Sequence, residues 1–165
     1  MRVSLSIDGA DEVRKRLLDA GDRLAGSFKT LFEAVGASWE ASFKGHVRDE
    51  VDVFGEAFQP LAASTMRRRK KEGFPPANPI LRRRGDLFTS IRALEITDTE
   101  LLVGTDHASA GLLNYGGRTS SASLLPDRPV PARRFIGLNG QEVDDLFETL
   151  ADFLLGDAAP GASRA

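Results

Sequence analysis

Residues 10–50, ADEVRKRLLDAGDRLAGSFKTLFEAVGASWEASFKGHVRDE, decide the fold class when set against residues 91–105, IRALEITDTELLVGT. In the first stretch Val13, Leu17, Leu24, Phe28, Leu31, Phe32, Val35, Trp39, Phe43 and Val47 recur at helical spacing, which draws one apolar stripe. Gly21, Gly26, Gly36 and Gly45 interrupt it, so the reading is one long bent helix or two helices. In the second stretch two apolar runs flank Asp98-Thr99, which predicts a hairpin, although Asp-Thr is a poorer turn pair than Asp-Gly. Helical and strand patterns in separate blocks make the chain α+β.

Working outward, Val3, Leu5 and Ile7 alternate with polar residues and predict a short strand ending at Asp8-Gly9. Ser64 or Thr65 is placed to cap a short helix carrying a basic run, and Gly85 to Ser90 to form one helical turn. RRFIGL at 133–138 predicts a further strand. Asn139 followed by Glu142 has the form of a capping box. The helix it opens gathers Val143, Leu146, Phe147, Leu150, Phe153 and Leu154 on one face, and we expect Phe147, Leu150 and Leu154 to be buried within the subunit or against an adjacent one. The opposite face bears Glu142, Asp144, Asp145, Glu148 and Asp152 with no base. The expected whole is a single α+β domain over 1–155. It has a long N-terminal helical region, a small mainly antiparallel sheet, a C-terminal amphipathic helix, loops near 66–80 and 106–131, and a flexible tail at 156–165.

Composition narrows the chemistry. The 165 residues are 41% hydrophobic, enough for one ordinary core. There is no cysteine, which removes thiolate nucleophiles and thiolate metal sites. His46 and His107 lie far apart without metal-ligand spacing. Neither a phosphate loop, nor a GxSxG frame, nor HExxH is present. The acids of the last helix lack a histidine partner and read as a solvated or interface face. We therefore expect no catalytic, cofactor-binding or metal-binding residues. No apolar run approaches the roughly 20 residues that span a bilayer, and the N-terminus lacks a signal-peptide core, so no membrane is expected as a partner.

Charge is segregated. Between Arg67 and Arg84 stand Arg67, Arg68, Arg69, Lys70, Lys71, Arg82, Arg83 and Arg84 against the single acid Glu72, a local excess of about +7 in a chain whose net charge is −2. Arg133 and Arg134 add a smaller basic pair. Such a concentration suits docking on nucleic acid or on an acidic neighbour in an assembly. A chain that also carries the acids Asp144 and Asp145 on one helix face can be complementary to itself head to tail.

Several segments, in order, resemble the phage virion morphogenesis family, whose members include tail-completion proteins. They are GEAFQPLAASTMRRRKKEG, ILRRRGDLFTSI, LLVGTDHA, NYGG and VPARRFIGL before an acidic amphipathic helix. Pro60, Leu61, Thr65 and Lys70 match one family segment, and Ile80, Leu81, Gly85, Leu87, Ser90 and Ile91 match the next. Gly104, Ala108, Gly116 and Gly117 follow, then Pro131, Ala132, Arg133, Phe135, Gly137 and Leu138. Phe58, His107, Asn114-Tyr115 and Arg134 depart from the pattern, standing in for tryptophan, tyrosine, a histidine-rich stretch and a proline. The resemblance implies a structural virion protein that completes or terminates the tail and joins it to the head at the neck. It implies a ring of sister subunits, which we expect to be a hexamer, in contact with the tail tube protein, head-tail connector proteins and packaged DNA. It places the protein in the virion, at the neck or tail end, and in the host cytoplasm during assembly. The alternative is a nucleic-acid-binding module using Arg67 to Arg84.

Overall fold

A computed structural model describes residues 10–74, 79–123 and 126–156. The N-terminal helical region is two helices, α1 (Ala10–Ala25) and α2 (Lys29–Asp49). The break between them is gripped from outside: Phe28 donates its backbone N–H to the Asp98 carbonyl at 3.1 Å, and Ser27 Oγ donates to the Asp98 carboxylate at 2.5 Å. Ser27 Oγ also accepts the Lys29 N–H, satisfying one of the donors that open a helix. The short α3 (Ala63–Lys71) and α4 (Asp86–Ser90) follow, then β1 (Arg92–Ile96) and β2 (Leu101–Gly104), α5 (Ala110–Tyr115), β3 (Gly117–Arg118), β4 (Pro129–Val130) and α6 (Gly140–Leu155).

The hairpin forms where the sequence predicts it. β1 and β2 are antiparallel with Ala93 opposite Val103 and Ile96 opposite Leu101, and the turn closes through Thr97 N–H to the Glu100 carbonyl at 2.9 Å. α2 covers one face of the hairpin. A Cβ on Gly36 would stand 3.1 Å from Leu101 Cδ1, so the absent side chain lets helix and strands approach. Glu40 on α2 is held below its ordinary value of 4.5, chiefly by its hydrogen bond from Lys44 and in lesser part by the Ala93 N–H of β1.

The core gathers Phe43, Val47, Phe58, Leu81, Leu87, Ile91, Ala110 and Phe135, with Trp39, Phe88 and Leu113 packed against it. Much of this core comes from chain that is neither helix nor strand. Asn139 and Glu142 form the predicted capping box of α6, and Glu142 also accepts from Ser42 Oγ, tying the start of α6 to α2. The end of α6 is closed by Gly156 at φ 78°, where a Cβ would collide with the Arg23 guanidinium.

Three expectations are corrected. RRFIGL is not a strand: Arg133 and Phe135 are both interior, and the Phe135 N–H bonds the Arg133 carbonyl in a tight local turn instead of a ladder. Residues 106–131 hold α5 and the small β3–β4 pair, not only loop. α3 begins at Ala63 with Ala62 at the cap position and no side-chain cap, so neither Ser64 nor Thr65 serves. The expectation for α6 allowed burial within the subunit or against an adjacent one, and within the subunit Phe147 is 63% exposed and no α6 residue is fully buried, which leaves only the adjacent subunit for Phe147. The predicted strand over Val3 to Ile7 lies outside the described residues, as does nearly all of the tail.

Two tests follow from the packing. Phe135 is 0% exposed, so Phe135→Ala should cost about 3–5 kcal/mol in urea unfolding, whereas Phe147→Ala should cost less than about 1 kcal/mol. Equal losses would refute this placement of the core. Because Glu40 has a lowered folded-state pKa, its contribution is complete above the ordinary glutamate range and is lost as pH falls below it. An NMR titration should show the Ala93 amide shifting in that acid window, and Glu40→Gln should abolish the shift.

Candidate functional site

The basic segment divides into an inner and an outer set. At 100° per residue, Arg67, Lys70 and Lys71 share one face of α3, while Arg69 points well away from it. Arg69 is 8% exposed and forks across one turn of backbone, donating from Nη1 to the Pro79 carbonyl at 2.9 Å and from Nη2 to the Ile80 carbonyl at 2.7 Å. The Ile80 N–H is taken by Glu50 Oε1 at 2.7 Å. Thus the polar groups of an irregular segment entering the core are met by side chains of α3 and of the end of α2. Glu50 caps α2 in the left-handed conformation at φ 58°, with its N–H on the His46 carbonyl.

Arg133 is the second interior base, 4% exposed, with Nη2 at 2.9 Å and Nε at 3.2 Å from the Gln59 carbonyl. Burial lowers the pKa of both guanidiniums. At Arg69 the Arg83 and Arg68 charges add to that effect, and at Arg133 the Arg69 charge does. Both remain cations at neutral pH, since arginine does not give up its proton in proteins. The fold therefore brings Arg69 and Arg133, distant in sequence, within electrostatic reach of each other.

The intermediate members are also engaged within the chain. Glu72 binds Arg83 at 2.6 Å and lies 3.9 Å from Arg68. Arg83 lies over the Phe74 ring at 5.2 Å, Arg82 over Phe88 at 5.0 Å and Arg134 over Phe54 at 5.8 Å. Arg67, Lys70, Lys71 and Arg84 are exposed. On α6 the exposed acids are Asp144, Asp145 and Glu148, with Asp145 also accepting from Gln141 at 2.8 Å. Glu142, spent on its cap and on Ser42, leaves that group.

The histidines have local tasks: His46 Nδ1 meets the Phe135 carbonyl at 3.2 Å, and His107 Nδ1 accepts the Ser109 N–H at 3.2 Å. Among the described residues no group of three or more histidines and acids could hold a metal ion, and no helix is long and apolar enough to cross a membrane.

Asn114, which the sequence marks only as a departure from the family pattern, is buried. Its amide donates to the Ile136 carbonyl at 3.2 Å and accepts the Ile136 N–H at 3.0 Å, a two-way latch. Gly116 follows at φ 73°, and a Cβ there would stand 2.7 Å from the Ala132 nitrogen, so the crossing of these two segments requires glycine. For Asn114 no sequence signal exists. For Arg69 one does: the helical wheel of RRRKK already separates it from Arg67, Lys70 and Lys71.

The two sets should respond differently to mutation. Arg69→Met or Arg133→Met leaves the Pro79 and Ile80 carbonyls or the Gln59 carbonyl without their guanidinium donors and should cost about 1–3 kcal/mol in urea unfolding. Arg67→Ala and Lys70→Ala should change stability by no more than about 0.5 kcal/mol. Indistinguishable effects would show that the division into inner and outer bases is wrong.

No curated protein and no solved structure matches the chain significantly. A family match is found, however, and it covers residues 7–154, taking in both helices of the N-terminal region, the basic segment, the hairpin and nearly all of α6. The chain belongs to the phage virion morphogenesis family.

Proposed function

We propose that this protein completes or terminates the tail of a phage or prophage and joins it to the head at the neck, as a ring of six identical subunits. Family membership supports a structural or assembly role. The observation that carries the finer reading is the division of surface charge on one chain: α3 turns Arg67, Lys70 and Lys71 to solvent, while α6 turns out Asp144, Asp145 and Glu148 and contains no base.

In a ring each subunit presents one face to a different face of the next, and the ring closes when the rotation does. Opposed patches set orientation and speed encounter more than they raise affinity, because exposed ion pairs are individually weak. The outer bases meet an acidic surface of a sister subunit, of the tail tube or of a connector protein. The chemistry is association without catalysis, and no cofactor takes part.

Reversing Arg67, Lys70 and Lys71 to Glu tests this in phage production followed by electron microscopy. The monomer should stay folded, and completed tails should fall at least tenfold in number. Normal particles would sink the reading. Restoration by Asp144→Lys with Asp145→Lys identifies a sister subunit as the partner, and no restoration assigns it to another virion protein. Duplex binding that falls steeply with salt, alongside normal assembly of the variant, would favour nucleic-acid binding instead.

A further inference from the structure

α1 is an amphipathic helix with its apolar side outward. Val13, Leu17 and Leu24 lie within an arc of about 40° at 100° per residue, and all are exposed, from 57% to 69%. None of the described α1 side chains is buried. The helix rests on α6, where Arg23 Nη1 donates to the Leu154 carbonyl at 3.0 Å. A helix of 16 residues draws its stability in a protein from packing of its apolar face, and here that face is unpacked.

α6 shows the same pattern beside it. Its inner arc of Val143, Leu146, Leu150 and Phe153 turns towards the subunit, whereas Phe147, Ala151 and Leu155, spaced by single turns, remain outside. Asp144 and Glu148 border this outer strip. Arg14 borders the strip on α1. One helix thus offers an apolar strip rimmed by acid, and the other offers one rimmed by base.

We propose that these two strips meet between subunits: α1 of one copy lies along α6 of another, with Val13, Leu17 and Leu24 against Phe147, Ala151 and Leu155 and with Arg14 against Glu148. Charge complementarity selects this occupant. An anionic membrane or nucleic acid would be repelled by the α6 rim, whereas this chain itself carries the base-rimmed strip that the acid-rimmed one requires. The inference rests on the reading that sister subunits associate, and it names the surface through which they do so.

The cysteine-free chain permits a direct test. Full-length Leu17→Cys and Phe147→Cys proteins, differently tagged, are mixed and oxidised. The mixed 17–147 disulfide should exceed both like pairs, and it should exceed the product of Leu17→Cys with Tyr115→Cys, whose position is 77% exposed on α5. In sedimentation of the untagged chain, Leu17→Glu or Phe147→Glu should raise the dissociation constant by roughly thirtyfold or more, the scale of losing a hot-spot anchor, with circular dichroism unchanged. Arg14→Glu should weaken association, and Glu148→Arg should restore it. A wild-type chain that stays monomeric, cross-links no better than the Tyr115 control, or associates equally well with glutamate at 17 and 147 would overturn the proposal. The neck reading fails separately: if the α3 charge reversals leave tails normal while the 17–147 link forms, this contact stands and that reading falls.

Discussion

The two buried guanidiniums set the terms for the rest of this structure. Segments without regular secondary structure carry Phe58, Leu81 and Phe135 into the interior, and the backbone groups beside them, around Gln59, Pro79–Ile80 and Arg133–Leu138, have no ladder or helix to bond with. An unpaired buried carbonyl costs about as much as a lost hydrogen bond, so such segments can enter a core only if side chains meet them. Arg69 serves Pro79 and Ile80, Glu50 serves Ile80, Arg133 serves Gln59, Asn114 serves Ile136 twice, and Asn139 serves Val53. These polar stitches replace the sheet that a more regular α+β protein would place there. Around them close Phe135, Ile91 and Val47, all fully buried.

This explains why a concentration of arginine does not translate directly into a surface of the same charge. Arginine suits the inner work because its planar fork meets two carbonyls at once and is less strongly hydrated than an ammonium group. Lysine at position 69 would bring a strongly hydrated point charge in place of the planar fork that meets Pro79 and Ile80 from two separate nitrogens. Removing the cation leaves acceptors orphaned, while keeping it commits charge to the interior, where Arg69 and Arg133 repel each other. Glu72 and three aromatic rings then absorb further members of the cluster, so the field outside comes from a narrower group on the solvent side of α3.

What the sequence disclosed follows the same line. The hairpin, α2 and the capping box of α6 are specified locally, by period, turn and cap, and each was legible. The break near Gly26 was visible as an ambiguity, and the Asp98 grip that resolves it depends on tertiary placement. RRFIGL has the composition of a short strand, and Arg133 and Phe135 are both interior, but its backbone is met by the Asn114 side chain, by Val53 and by Leu113 instead of a ladder, which no local feature of the segment announces. α5 lay hidden in a glycine- and serine-rich stretch, since Ala110 and Asn114 are too small and too polar to announce a core helix. At the candidate site, residue type found the bases, whereas the side of the helix decided their roles. The apolar stripe of α6 was read correctly as a stripe, but its width exceeds what one subunit covers.

That excess connects stability with assembly. α1 and the outer strip of α6 contribute six of the large exposed hydrophobic side chains, Val13, Leu17, Leu18, Leu24, Phe147 and Leu155, on two neighbouring helices. Scattered apolar residues on a surface are ordinary, but a concentrated group marks an interaction site. On the proposed contact, burying these side chains supplies affinity by the hydrophobic effect, and the acid and base rims fix which helix meets which. Anything that binds only the folded subunit also stabilises it by mass action, so on that proposal α1, whose apolar face is uncovered in the single chain, becomes firm as partners bind. The polar stitches hold the inner body together within one subunit, and on the proposed contact the helical layer is completed by association. A protein built this way can remain a folded but unfinished subunit until its neighbours are present, which is the behaviour that ordered virion assembly requires.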